Sequence, residues 1–157
     1  MTADAPQPAL DAAEERLAAL RKLADADPVG HAGELAEALC ALGRRCAALG
    51  DHRRAASVTA KGVAVYRELA GEDPPTYAPS LAAELGRLSD LLALAGDRTP
   101  ARVAAGEAVQ ALRSLGADGL ADLPDALDRL GARLAALGQH SMSATATAEA
   151  TAIRRTR

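Results

Sequence analysis

The sequence predicts an all-α protein built from repeated antiparallel helix pairs, and three observations support this fold class. The 157 residues include 41 Ala and 23 Leu but no Phe or Trp, so helix-forming residues dominate and strand-forming residues are scarce. Gly50, Gly96 and Gly138 each end a similar apolar segment, 46 and then 42 residues apart. Apolar residues also recur at the same distances from these three glycines, as expected for tandem repeats.

The repeat is clearest when positions are counted back from each glycine. At fifteen, eleven, eight and four residues before it, the residue is apolar in all three repeats. These residues are Leu35, Leu39, Leu42 and Cys46, then Leu81, Leu85, Leu88 and Leu92, then Leu123, Leu127, Leu130 and Leu134. Spacings of three and four residues place each set on one side of a helix. Gly43, Gly62 and Gly131 lie inside predicted helices, which indicates a close approach of neighbouring helices.

Seven helices are predicted, at about 9–25, 31–49, 52–70, 77–95, 98–116, 119–137 and 140–154. Helix 9–25 matches the third helix at a shift of 46 residues, so it is the second helix of a repeat whose first helix is absent. Glycine turns close each pair, and Pro74-Pro75 separates two repeats. The Thr-rich last helix is expected to be the least stable. Residues 1–8 are expected to be a disordered terminus, 9–154 the repeat domain and 155–157 a tail.

Composition and charge exclude several function classes. The net charge of −3 and the lack of aromatic platforms predict no binding to nucleic acid. No apolar run is long enough for a membrane span. The N-terminus lacks the pattern of a signal peptide, and Cys40 and Cys46 lie too far apart on one helix to form a disulfide. A cytoplasmic protein with two free thiols is therefore expected.

Catalytic and metal sites are not indicated by the sequence. His52 and His140 occupy equivalent turns two repeats apart, which is too far for a shared metal. The chain contains no zinc-binding, nucleophile-elbow or phosphate-loop motif. Cys46 falls in the apolar stripe, where a thiol behaves as a small hydrophobic residue. We therefore expect a non-enzymatic protein without a cofactor.

The repeat resembles the tetratricopeptide repeat family along nearly the whole chain. Members carry a small residue beside a Leu in the first helix, a Gly at the turn and two small residues in the second helix. The matching residues are Leu42-Gly43, Gly50, Ala55 and Gly62, then Leu88-Ser89, Gly96, Ala101 and Ala108, then Leu130-Gly131, Gly138, Ser143 and Ala150. The long repeat is similar to the variant found in kinesin light chains and actinobacterial regulators, as is the segment Pro74 to Ala82. The resemblance implies a right-handed α-solenoid of about seven helices, formed by three repeats and an N-terminal half repeat.

The resemblance also implies a concave groove lined by the first helix of each repeat. Candidate binding residues on the outer side of those helices are Glu37, Arg44, Arg45, Arg87, Asp90, Asp125, Asp128 and Arg129. An open groove of mixed charge fits a scaffold that binds a peptide or a partner helix. One alternative is an effector-sensing module that controls a partner such as a transcription regulator, and a less favoured one is a helical biosynthetic enzyme.

Two features refine the expected partners. The family's clamp for a C-terminal carboxylate uses Lys and Asn, but this chain has no Asn, and Lys22 and Lys61 lie on second helices. That clamp is therefore not expected, although arginines can bind anions in other ways. The half repeat at the N-terminus and the weak last helix leave solenoid ends that need covering, which predicts a homodimer formed through one end.

Overall fold

A computed structural model describes residues 6–156, and every regular element in that range is helical. The elements are α1 (Pro6–Ala26), α2 (Pro28–Ala48), α3 (His52–Glu72), α4 (Pro74–Leu94), α5 (Arg98–Ser114), a short 3₁₀ helix (Gly116–Ala121), α6 (Leu123–Ala136) and α7 (His140–Arg155). The seven predicted helices and the all-α fold class are confirmed. Disorder was expected for residues 1–8; residues 1–5 lie outside the described residues, and α1 already begins at Pro6.

Each helix packs mainly on its neighbours in the chain, as in a solenoid of helix pairs. We call α2, α4 and α6 the A helices and α1, α3, α5 and α7 the B helices. Three A–B pairs form the repeats, and α1 packs on α2 as a B helix with no A helix of its own among residues 6–156. The core is made of the A-helix leucine stripe and small B-helix side chains, with Leu85 and Leu127 almost fully buried.

Three glycines end the A helices in the same way. Gly50, Gly96 and Gly138 have φ angles of 79°, 93° and 73°, a region in which only glycine is unstrained. The residue after each glycine donates its N–H to a carbonyl five residues back, at 2.8 to 3.1 Å. This Schellman geometry satisfies the free carbonyls of the last turn. The predicted hairpin bends are therefore confirmed at matching positions.

Besides α1, two helices begin earlier than the sequence pattern suggests. The segments before His31 and Tyr77 were expected to be linkers, but they form the first turns of α2 and α4. Asp27 and Asp73 are the N-caps, accepting hydrogen bonds from the N–H groups of the third residue after each. The following prolines are tolerated there because the first turn of a helix has no carbonyl partner for its N–H groups. A proline-containing segment can thus start a helix rather than interrupt one.

Close helix packing explains the glycines within the helices. A Cβ atom on Gly62 would lie 2.5 Å from Cys40 Sγ and 3.0 Å from the Ala36 carbonyl oxygen. A Cβ on Gly131 would lie 3.0 Å from Thr147 Oγ1. Real Cβ atoms essentially never lie as close as 2.5 Å, and 3.0 Å is tighter than most real contacts, so a side chain at either position would force its neighbours to shift. The predicted close approach of A and B helices is confirmed.

The last pair departs from the others at both of its helices. Its A helix was expected from residue 119, but α6 begins at Leu123 after the 3₁₀ helix. Gly119 in that short helix lies against the Leu112 carbonyl of α5 and leaves no room for a side chain. Helix α7 is formed as expected, but it buries only Ala146 and Ala150. The fully buried contribution of α7 to the C-terminal pair therefore comes from two alanine side chains.

Candidate functional site

The A helices carry two clusters of arginine and carboxylate side chains that connect one repeat to the next. Most of the predicted binding residues belong to these clusters, so their side chains bond to one another as well as facing outward. Arg45 is the one predicted residue that forms no ion pair among residues 6–156, and it is exposed. We call this surface of α2, α4 and α6 the A-helix face.

The first cluster is centred on Glu84 of α4. One oxygen of Glu84 accepts from Arg44 Nη1 at 2.9 Å and from Arg87 Nε at 3.1 Å. Arg44 also contacts Glu37 at 2.5 Å, so a single guanidinium joins α2 to α4. The Glu84 side chain is only 6% exposed, whereas Arg44 and Arg87 are 38% and 52% exposed. The carboxylate is therefore a structural anchor, and the arginines are the accessible groups.

Two uncharged polar groups lie beneath this cluster. Tyr66 of α3 donates its hydroxyl to Glu37 at 3.3 Å, and Cys40 of α2 is fully buried. Burial, together with the negative charges of Glu84 and Glu37, raises the pKa of the Cys40 thiol to about 12. Burial likewise raises the pKa of Tyr66. Because a thiol must ionise to act as a nucleophile, Cys40 is inert at neutral pH.

The second cluster is centred on Asp90 of α4. Arg129 Nε lies 3.2 Å from both carboxylate oxygens, and Arg133 Nη2 lies 2.7 Å from one of them. Arg133 also donates to the buried Ser89 hydroxyl at 3.2 Å. The Arg129 guanidinium passes over Gly86, where a Cβ would lie 2.9 Å from Nη1. A glycine at that position therefore lets α6 reach across to α4.

The remaining predicted residues, Asp125 and Asp128, both bond to Arg154 at 2.7 Å. Arg154 lies in the last turn of α7, so this group closes the C-terminal pair internally. Asp125 is 80% exposed at its outer edge. It therefore stays accessible to a ligand in spite of its bond.

A recess of about 260 Å³ lies between α4 and α6 and brings three predicted residues together. Its lining residues are Pro79, Ala82, Ala83, Arg87, Leu112, Asp122, Asp125, Ala126 and Arg129. Alanine side chains form much of its floor, and the two arginines flank it. Arg87 and Arg129 bond to their carboxylates through Nε only, so their Nη groups are available within the described part of the chain. Tyr77 lies against Gly33 of α2 and does not line the recess.

Sequence reasoning missed Glu84, Arg133 and Arg154, which hold these clusters together. One signal was present: Glu84 stands twelve residues before its turn glycine, where the other repeats have Ala38 and Ala126. Burying a carboxylate is costly unless the carboxylate is paired, so a glutamate at a position that is alanine in the other repeats indicates a specific partner. Cys40, which lies between the candidate charges of α2 in the sequence, is buried rather than exposed on that face.

Neither a metal site nor a membrane span is visible in the described residues. No group of three His, Cys, Asp or Glu side chains in the range 6–156 is placed to hold a metal ion. Within the same range, none of the helices has the length and apolar character needed to cross a bilayer.

Comparison with known proteins supports the fold alone. No family model matches the sequence, and no curated protein is significantly similar to it. The structure is similar to the crystal structure of BtubC (BKLC) from P. vanneervenii, with a TM-score of 0.68 and 21% identity. The match covers 95% of this chain and 57% of BtubC, so this chain spans little more than half of that protein's length. BtubC is a bacterial kinesin light chain-like protein, and the shared architecture is a tetratricopeptide-like helical repeat.

Proposed function

We propose that this chain is a non-catalytic protein-interaction scaffold that binds an extended peptide or a partner helix on the A-helix face. The observation that carries the proposal is the recess between α4 and α6, where Arg87 and Arg129 stand beside Asp122 and Asp125 over a floor of alanines. Guanidinium groups with free Nη edges bind carboxylates through paired hydrogen bonds. The ligand class that fits best is therefore a segment carrying an acidic side chain beside a small apolar one.

Two further features support a scaffold over the alternatives. Glu84 and Asp90 fix the two arginines from below, so the recess is preorganised and little ordering is lost on binding. The protonated Cys40 thiol supplies no nucleophile, which disfavours an enzyme. A lid formed by Tyr77 would have favoured a small effector, but that side chain packs on α2 instead.

The proposal extends to the family and the location of the protein. We place the chain in the long-repeat tetratricopeptide group, which is supported by the shared register of its turn glycines and by its structural similarity to BtubC. A cytoplasmic location is supported by Cys40 and Cys46, which are both free thiols.

A random peptide-display library tests the ligand class directly. Immobilised wild-type protein should enrich peptides that contain Asp or Glu, and the R87E/R129E double variant should bind them at least about tenfold more weakly. The matched control is R98E, because Arg98 at the start of α5 is exposed and has no ion pair within the described part of the chain. Enrichment of the same acidic peptides by R87E/R129E would contradict the proposal.

A further inference from the structure

Consecutive B helices are joined by ion pairs that follow the repeat register. Arg67 of α3 donates to the two carboxylate oxygens of Glu107 of α5 at 2.6 and 3.0 Å. Arg113 of α5 donates to both carboxylate oxygens of Glu149 of α7 at 2.7 Å. Each arginine lies seventeen residues after a turn glycine, and each glutamate lies eleven residues after the next one. An arginine at this position is therefore held by a glutamate of the following B helix.

The pair formed by α1 and α3 breaks this pattern. Arg21 of α1 is the counterpart of Arg67 at the shift of 46 residues, but the position of Glu107 and Glu149 is occupied in α3 by Lys61. Arg21 and Lys61 are exposed side chains that line one recess. Neither has an ion-pair partner within the described part of the chain. The register that elsewhere joins opposite charges thus brings two cations together here.

The recess between α1 and α3, which we call the α1–α3 recess, has two levels of charged side chains above an apolar floor. Its volume is about 290 Å³, and leucines of α1 and α2 form the floor. At the first level, Glu14 of α1 bonds to Arg54 of α3. Arg21 and Lys61 form the second level, each seven residues further along its helix, or about 10 Å along the axis. The one carboxylate that lines the recess is therefore already paired, and the second level keeps two positive charges.

The equivalent recess between α5 and α7 shows what occupies this position elsewhere in the fold. Arg113 and Glu149 line it above Leu127 and Leu130, which are the counterparts of the α2 leucines. There the guanidinium is bound by a carboxylate that the chain itself supplies. The α1–α3 recess has the cationic half of the same contact, over the same kind of floor, with a lysine in place of the glutamate.

We propose that the α1–α3 recess is a second ligand site, which binds a glutamate or aspartate side chain from an acidic segment of a partner protein. The ligand carboxylate takes the role that Glu107 plays on Arg67, with paired hydrogen bonds to the Arg21 guanidinium and the Lys61 ammonium beside it. The leucine floor contacts the methylene groups of the ligand side chain. This site shares no lining residue with the recess between α4 and α6, so the chain presents two separate carboxylate sites.

NMR titration of the ¹⁵N-labelled full chain with a hexaglutamate peptide tests this proposal, because amide shifts locate each binding event. The peptide should shift the signals of Arg21, Lys61 and their neighbours. K61E supplies the glutamate that α5 and α7 carry at this position, so its own carboxylate should occupy Arg21 and weaken peptide binding there at least about tenfold. K22E is the matched control, because it makes the same charge change at an exposed lysine of α1 outside the recess. It should bind the peptide as the wild type does.

A second variant removes the guanidinium without adding an acid. R21Q should lose the same peptide-induced shifts as K61E, so the test does not depend on one substitution. Circular dichroism establishes that the variants are folded, and the urea midpoint of K61E should be at least that of the wild type because a like-charge contact is replaced by an ion pair.

Four results would overturn the proposal. One is a wild-type spectrum without peptide-induced shifts at Arg21 and Lys61, and another is a set of shifts that persists in K61E and R21Q. Tighter binding of inorganic phosphate than of the peptide at these signals would show that the site is not one for carboxylates. Equal affinity for free glutarate and for the peptide would assign the site to a small dicarboxylate instead of a partner segment. Signals of Arg87 and Arg129 report on the A-helix face separately, so the two sites are judged by different residues.

Discussion

Arg154 bonds to Asp125 in the same repeat register in which Tyr66 bonds to Glu37. Tyr66 and Arg154 lie sixteen residues after their turn glycines, while Glu37 and Asp125 lie thirteen residues before them. The two contacts measure 3.3 Å and 2.7 Å. At this register position α3 carries a buried tyrosine, α5 carries the buried Leu112 and α7 carries an exposed arginine.

The difference between the B helices gives a prediction about association. Thr151 and Arg154 of α7 correspond to the buried residues Val63 and Tyr66 of α3 and Val109 and Leu112 of α5. Replacing Thr151 by Val and Arg154 by Leu should therefore place this apolar pattern on an exposed surface of α7. We expect the T151V/R154L variant to form species larger than those of the wild type, because exposed apolar patches drive association. Sedimentation velocity over a range of concentrations measures this, with R155L as the matched control. Identical sedimentation of T151V/R154L and wild type would contradict it.

Glu84 is predicted to matter more for stability than either of its partners. E84A removes a buried acceptor from both Arg44 and Arg87, which should lower the free energy of unfolding by about 1–3 kcal/mol. The R87A variant should cost less than about 1 kcal/mol, because Arg87 is half exposed and Glu84 keeps its bond to Arg44. Urea unfolding measures both. An equal loss in the two variants would show that Glu84 is not the anchor.

Two glycines of α3 should respond in opposite directions to the same change. G62A inserts a methyl group against Cys40 Sγ and the Ala36 carbonyl, and overpacking of this kind costs about 1–3 kcal/mol. G71A meets no atom within 4 Å and should stabilise the helix by up to about 1 kcal/mol. Thermal or urea unfolding separates the two outcomes. Stabilisation by G62A would contradict the close packing of α2 and α3.

Burial of Cys40 predicts a loss of stability in alkaline solution. Its pKa rises from 9.0 to about 12 in the folded protein, so between these values the unfolded chain loses a proton that the folded chain retains. Stability should therefore fall with rising pH in that window, by up to about 1.4 kcal/mol per pH unit. Urea unfolding at several pH values should show a shallower decline for C40A. Parallel curves for wild type and C40A would refute this origin of the decline.

The same thiol should resist chemical labelling. Native protein at neutral pH should react slowly with a thiol reagent such as dithionitrobenzoate, since Cys40 and Cys46 are both buried and burial raises both pKa values. Unfolding in urea should expose both groups and complete the reaction rapidly. Measurement of C46A isolates Cys40, and rapid labelling of that folded variant would show that the thiol is accessible.

Much of the fold could be predicted because it depends on local rules. Turn glycines, the leucine stripe and the glycines within helices follow from periodicity and helix packing, and the structure places them as expected. Helix starts were less predictable, because Asp27-Pro28 and Asp73-Pro74 resemble a chain break and act as an N-cap followed by a tolerated proline. The 3₁₀ helix before α6 depends on contact between Gly119 and α5, which no local pattern reveals.

The candidate site was less predictable, since its contacts join residues about 40 positions apart. Which arginine meets which carboxylate depends on how far one repeat is shifted and rotated against the next. Arg44 pairs with Glu84 of the following repeat, whereas Arg129 pairs with Asp90 of the preceding repeat. Glu84 and Asp90 lie at different distances from the turn glycine, so no single register rule gives both pairs. The sequence could place these charges on one face. Only the stacking of the helices decides which of them remain available to a ligand.

The sparse packing of α7 has a consequence for how this region opens. Ala146 and Ala150 are its buried residues, Ile153 packs against the core beside them, and Arg154 ties its last turn to α6. Local opening costs least where few buried apolar contacts must break. Helix α7 should therefore exchange its amide hydrogens faster than the more deeply buried helices behind it.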